Sequence, residues 1–171
     1  HVSHATNPAM VKNLSFHPVD DFEPIGQASE GPMLVVARKD FPARDGREFI
    51  AMVREQGNKL SIGHAGIGSA SHLCGLMFMN ALKTDLTFVP YKGAAPALND
   101  LMGGQLDLMC DQTSNNLPTV QSGRVRAYAV AGTQRLAQVP DVPSLQEAGL
   151  SGFEISIFFG LYAPKGTPAP V

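Results

Sequence analysis

Charge is scarce in this chain. Only 16% of its 171 residues are Asp, Glu, Lys or Arg, while 44% are hydrophobic. Average soluble domains carry roughly 25% charge, so this composition describes a globular chain with a charge-poor surface. A basic excess is also missing: 13 Lys and Arg face 15 Asp and Glu, for a formal net charge of −2. Nucleic acid is therefore disfavoured as a main partner, since a polyanion surface needs such an excess. No apolar run reaches the ~18 residues of a membrane-spanning helix. The longest candidate, Ile155–Ala163, is strand-sized. Two cysteines, Cys74 and Cys110, are too few for a disulfide framework. They allow one bridge at most, and the reading adopted is two core thiols packed as small hydrophobes. The redox compartment stays open on that count. The chain begins with His and lacks a basic–apolar signal segment, which reads as processed or cut from something longer.

What is present alternates. Met33–Ala37 is a short apolar strand. Asp45 and Glu48 have capping-box spacing, and Phe49, Ile50, Met52 and Val53 then form one face of a helix that Gly57 ends. Lys59–Gly63 reads as a strand and Gly66–Ser71 as a small-residue loop. Leu73, Leu76, Met77 and Ala81 follow at helical spacing. Leu86–Pro90, Leu106–Cys110, Val125–Ala131 and Ile155–Tyr162 are strands; Pro96–Met102, Leu117–Gln121 and Ser144–Ala148 are helices. Strands that are apolar without alternation predict a mainly parallel sheet covered by helices on both faces, an α/β fold. His1–Asp21 has little periodicity, and Gly160–Val171 is turn-rich; both ends read as pieces of a neighbouring unit.

Chemistry concentrates at Ser61–His72. The segment leaves the carboxyl end of a strand, passes Gly66 and Gly68, and enters a helix after Ser69 and Ser71. Unpaired amides and the positive dipole end of a helix, with hydroxyls nearby, make an anion seat. The same residues also serve as a plain helix cap on a tight turn. A P-loop needs a Lys after its glycines, and none is there. A dinucleotide fingerprint needs a third Gly where Ser71 stands. A carboxylate, or a single phosphate or sulfate, remains. His72 is either a further donor or a packing residue. Asp111 closes the strand Leu106–Cys110 at the same rim, either orienting a polar group of a ligand or simply forming a turn. Lys92 follows another strand, as a turn residue or as a cation near the crevice.

Catalysis finds little support. Cys110, His72 and Asp111 supply the residue types of a triad, yet neighbours on a strand face opposite ways. Ser69 lacks the Gly-x-Ser-x-Gly elbow. The five histidines, at 1, 4, 17, 64 and 72, show no HExxH-like pairing. No catalytic residue, cofactor or metal is expected.

Several runs together resemble a known family. Leu60–Leu73, Val89–Leu98, Leu101–Asp107, Pro140–Ser144 and Gly160–Pro164, with Asn7-Pro8 and His17–Phe22 before them, are similar to the substrate-binding proteins of tripartite tricarboxylate transporters, the Bug family. The resemblance implies a periplasmic-binding-protein-like fold of type II, a Venus flytrap of two α/β domains joined by crossing strands. Residues 31–155 would be the second domain. Residues 1–30 and 156–171 would be crossover strands with remnants of the first, so that the chain holds half of a binding site.

By the same resemblance, Ala65, Gly66, Gly68, Ser69, Ala70, Ser71 and His72 would contact a ligand carboxylate, and Asp111 would accept from an amino or amide group. The implied function is capture of a small carboxylate in the periplasm: a di- or tricarboxylate, an amino acid or an aromatic acid. Its delivery to membrane permease subunits would follow. A sensory module of the same fold, signalling to a partner protein, is the alternative, and an acyl- or phosphate-handling enzyme a third. Phe158, Phe159 and Tyr162 are candidates for an apolar surface where the missing first-domain segments would dock, a patch that favours self-association.

Overall fold

A computed structural model describes residues 2–168. The elements run α1 (Val2–Met10), β1 (Phe22–Arg38), α2 (Gly46–Gln56), β2 (Ser61–His64), α3 (Ala70–Leu82), β3 (Thr87–Pro90), α4 (Ala94–Gly103), β4 (Leu108–Gln112), α5 (Thr113–Gln121), β5 (Val125–Ala131) and β6 (Ser156–Pro164). The expected outer segments extend to His1 and residues 169–171, which lie outside the described residues.

The sheet order is β3-β2-β4-β1-β5. Strands β2, β3 and β4 are parallel, and β1 runs antiparallel to both β4 and β5. The sheet is thus mixed, with one reversed strand set between β4 and β5. Nothing in an apolar pentapeptide such as Met33–Ala37 records its direction. Its lack of alternation does record burial on both sides. Met33, Val35 and Ala37 join the core under α2 and α3, with Phe49, Cys74, Phe78 and Tyr128. Leu34 and Val36 join the core under α4 and α5, with Ala97, Leu101, Met109 and Val130.

β1 is much longer than the expected strand because it changes partner. Met33–Arg38 lies in the main sheet, whereas Phe22–Pro32 pairs with β6 as a two-stranded antiparallel ribbon. The ladder slips twice, between Pro24 and Gly26 and between Gln27 and Ser29. These slips are bulges that bend and twist the ribbon. Phe159, Leu161, Ile25 and Tyr162 are exposed along it, while Phe158 is partly buried.

Three further departures have local causes. The segment before Phe22, which lacks periodicity, contains α1. It is held by contacts rather than by an amphipathic stripe: the His4 ring packs on Phe22 and Tyr162 with centroids 4.9 and 5.1 Å away, and its Nε2 meets the Pro18 carbonyl at 2.7 Å. Ser144–Ala148 is a turn, not a helix. Ser144 and Glu147 do make reciprocal side-chain-to-amide bonds at 2.8 and 3.2 Å, the hydrogen bonds of a capping box. However, the chain turns away at Gly149 (φ +95°) before a second turn forms. Finally, Cys74 and Cys110 are not free thiols. They form a disulfide with Cα atoms 5.9 Å apart, joining α3 to β4 across a span of 36 residues. Sequence spacing could not reveal this, because the strand-to-helix packing alone brings them together.

The cap of α2 is as expected: Asp45 Oδ1 accepts from the Glu48 amide at 2.9 Å. Glu48 reaches back to the amide of Arg44 rather than of Asp45, at 2.7 Å. The first helical residue, Gly46, sits against β5; an added Cβ would lie 2.7 Å from the Tyr128 carbonyl oxygen. A backbone atom cannot swing aside. Gly46→Ala is expected to cost about 1–3 kcal/mol of stability. The check is a lower urea midpoint at unchanged slope.

Candidate functional site

β2 brings the chain to the sheet edge at His64. Gly66 (φ +116°) and Gly68 (φ +78°) then turn it back into α3 through conformations that residues with a Cβ rarely adopt. The loop accounts for most of its own amides. Ala65 N–H donates to Ser71 Oγ at 2.8 Å, and Ser69 N–H to the Gly66 carbonyl at 3.1 Å. Gly66 N–H donates to His64 Nδ1, and Gly68 N–H to His72 Nδ1, both at 3.3 Å. Ser69 caps the helix, its Oγ accepting from His72 N–H at 3.2 Å and lying 3.1 Å from Ser71 Oγ. The amides of Ala70 and Ser71 are the first two of α3 and have no acceptor within the helix. The glycines therefore shape the seat, and among the described residues the donors left over belong to Ile67, Ala70 and Ser71.

Two imidazoles brace the loop. The His64 and His72 rings stand 4.6 Å apart and both touch Phe88. Each accepts a loop amide at Nδ1, which requires that nitrogen to be unprotonated. Burial, and secondly the neighbouring His64, push the His72 pKa below its ordinary value. His64, almost fully buried, was not among the expected site residues. Its signal in the sequence is its place immediately before the Gly66-x-Gly68 turn, which becomes legible once the ring is seen to hold that turn. Ile67, between the two glycines, is 78% exposed, the largest exposure of any apolar side chain in the loop.

Asp111 ends up at the same sheet edge, since β2 and β4 are parallel neighbours. Its side chain lies on the opposite face from Cys110, under α5, where Asn115 Nδ2 donates to it at 2.9 Å. It is 2% exposed, and burial pushes its pKa above the usual carboxylate range against the hydrogen bonds from Asn115 and Gln112. Asn116, fully buried beside it, donates to the Asp111 carbonyl at 3.3 Å while its own Oδ1 meets no donor among the described residues. The structure thus unites the seven loop and helix residues, and sets Asp111 at the end of the neighbouring strand, buried beside Asn115 and Asn116.

Tyr91 and Lys92 border the loop. Tyr91 N–H donates to the His64 carbonyl at 2.9 Å, and its hydroxyl to Asp100 at 2.8 Å. Burial, then Asp100, pushes the Tyr91 pKa up to about 12. Lys92 is exposed, with no ion pair given to it among the described residues. The triad considered above loses its first member, because Cys110 is bonded to Cys74.

The parallel strands β2, β3 and β4 of the mixed sheet thus end beside the glycine loop that leads into α3. Over residues 1–171 the sequence matches the model of the tripartite tricarboxylate transporter family receptor, TctC, and the chain belongs to that family. A UPF0065 protein from the TAR-I ttuE-ttuC' intergenic region of Agrobacterium vitis is 43% identical over the whole chain, which spans 49% of that protein. The periplasmic binding protein BugD superposes with a TM-score of 0.92 at 47% identity, over 99% of this chain and 56% of that one. MatC from Rhodopseudomonas palustris, solved with bound malate, gives 0.89 at 43% identity, over 99% and 57%. R. palustris Rpa4515, solved with adipate, gives 0.92 at 32% identity, over 98% and 56%. The chain spans about half the length of the relatives it matches.

His72 and Asp111 predict opposite pH effects. With its pKa lowered on folding, His72 contributes stability that is present above its unfolded value, about 6.5, and lost as pH falls through the folded one. His72→Asn, which keeps an acceptor but does not titrate, should flatten the fall in melting temperature between pH 7 and 5. Asp111 has its pKa raised, so its contribution is present below the unfolded value and lost as pH rises. Asp111→Asn should raise the melting temperature at pH 7 by about 2–4 °C, the shift of ~1 kcal/mol at this size, with the gain vanishing toward pH 4. Thermal scans by circular dichroism across that range decide both.

Proposed function

We propose that this chain is the second domain, with the crossover ribbon, of a periplasmic receptor that binds a small carboxylate and delivers it to membrane permease subunits. The observation that carries the reading is the loop Ala65–Ser71. Two glycines at positive φ and two imidazoles fix it at a helix start where the amides of Ala70 and Ser71 have no acceptor within the helix. Such a seat selects an anion by backbone donors and needs no cation of its own.

Three findings agree with this reading. Family relatives of the same fold were solved with malate and with adipate, both dicarboxylates. The partner change of β1 at Pro32/Met33, with β6 beginning at Ser156, suits a domain of residues 31–155 entered and left through two crossing strands. The buried disulfide suits an oxidising compartment such as the periplasm. The rest of the receptor would supply the other wall of the crevice. Asp111, at the rim, would accept from an amino or amide group of the ligand.

Calorimetry on the full-length receptor with malate, adipate and a panel of other carboxylates tests this. Gly68→Val forces a β-branched residue into φ +78° and should weaken binding at least ~100-fold, about 2.7 kcal/mol. Lys92→Ala should change affinity less than about threefold, or ~0.7 kcal/mol. Normal binding by Gly68→Val together with loss in Lys92→Ala would move the anion seat elsewhere.

A further inference from the structure

We propose that the Cys74–Cys110 disulfide is a positioning element of the binding site, fixing the amide donors of α3 relative to Asp111. The proposal rests on the reading of these two groups as parts of one carboxylate site. Each part is braced internally. The loop is held by Ser71, His64 and His72, and Asp111 by Asn115 and Asn116. The sheet joins one part to the other by a short ladder, reinforced at its start where Asp107 accepts from the Ser61 amide and hydroxyl at 2.9 and 2.8 Å. The β2–β4 ladder contains two residue pairs, Ile62 with Leu108 and Gly63 with Met109. β2 pairs with β3 along its whole length on its other side, and its ladder with β4 ends at Gly63 and Met109.

The ladder stops short of the residues that matter, and the covalent bond takes over at that point. Cys110 is the residue after Met109 and the one before Asp111. Cys74 lies one helical turn beyond Ala70 and Ser71, on the face of α3 turned to the sheet. Both cysteines are fully buried. The path from the Ser71 amide to Asp111 is thus one turn of helix, one disulfide and one peptide bond. Binding constellations need their groups held within about 0.5 Å. A helix resting on a sheet by side-chain packing can slide by more than that; one bonded at its second turn cannot.

A purely stabilising cross-link and a positioning one make different demands on the same measurement. Full-length receptor is titrated calorimetrically at 10 °C with malate and with adipate in three forms: oxidised, reduced with a phosphine and verified by thiol count, and Cys74→Ala/Cys110→Ala. Circular dichroism confirms the fold, and melting temperatures are recorded for each. Leu101→Ala, buried on the far side of the sheet, serves as a destabilised control. The expected result is native dichroism in all forms, with affinity at least ~10-fold weaker in the reduced and double-alanine proteins, about 1.4 kcal/mol. The control should lose melting temperature and keep its affinity. Affinities within twofold of the oxidised protein would overturn the proposal. So would loss of native dichroism on reduction, which would make the bond a requirement of folding. If the oxidised wild-type receptor binds neither acid nor any of the wider carboxylate panel, the carboxylate reading itself falls, and this proposal with it.

Discussion

Five residues of β1 set the conditions for everything around them. Met33, Leu34, Val35, Val36 and Ala37 are 0–1% exposed and contribute to both halves of the core, three to one side and two to the other. Burying such a run on two faces at once is favourable only inside a sheet that has helices above and below, so the run dictates a three-layer structure. Its antiparallel pairing with β4 and β5 then fixes where the carboxyl end of β4 lies. Through β4, it fixes the position of β2 and the loop that leaves it. The seat is several elements away from this strand in sequence, yet it inherits its location from it.

In the proposed reading an anion would be met by amide hydrogens at a helix start, with serines and two imidazoles as the nearest side chains. Such donors are fixed in direction, and their strength does not depend on a mobile cation being present. Asp111 is the opposite case, a carboxyl kept under α5 where burial opposes its charge. Natural proteins retain such groups where function requires them and accept the lower stability.

The layers, the start of α2 and the glycine turn before α3 could be read from the chain because each has a local cause. Asp45 caps α2 and Gly57 ends it; Ser69 begins α3; Gly66 and Gly68 occupy conformations that suit glycine. Strand direction could not be read, because an apolar run is the same in either sense. The length of β1 was hidden by its outer half, where Glu23, Gly26, Gln27 and Glu30 form a ribbon rather than a buried strand. The helix α1 gave no amphipathic stripe since its support is a cluster of rings from distant positions. The cysteine pair was missed because its role is a relation between elements, and no window of sequence contains both members, whereas the role of His64 shows only once its ring is seen to accept from Gly66. Ser144–Glu147 failed the other way, with a genuine cap signal and no helix behind it.

The reversed central strand has a consequence for how the chain comes into being. Ala37 finds its neighbour Leu108 about seventy residues later, and Arg126 later still. A ribosome therefore delivers the most apolar strand first and its partners last. Until β4 and β5 have emerged, Met33–Ala37 has no ladder to join, and loops of that length must close before any pairing energy is gained. Chains dominated by such distant contacts fold slowly, in milliseconds to seconds rather than microseconds. The central strand thus stays without its main-sheet partners until β4 and β5 have been made.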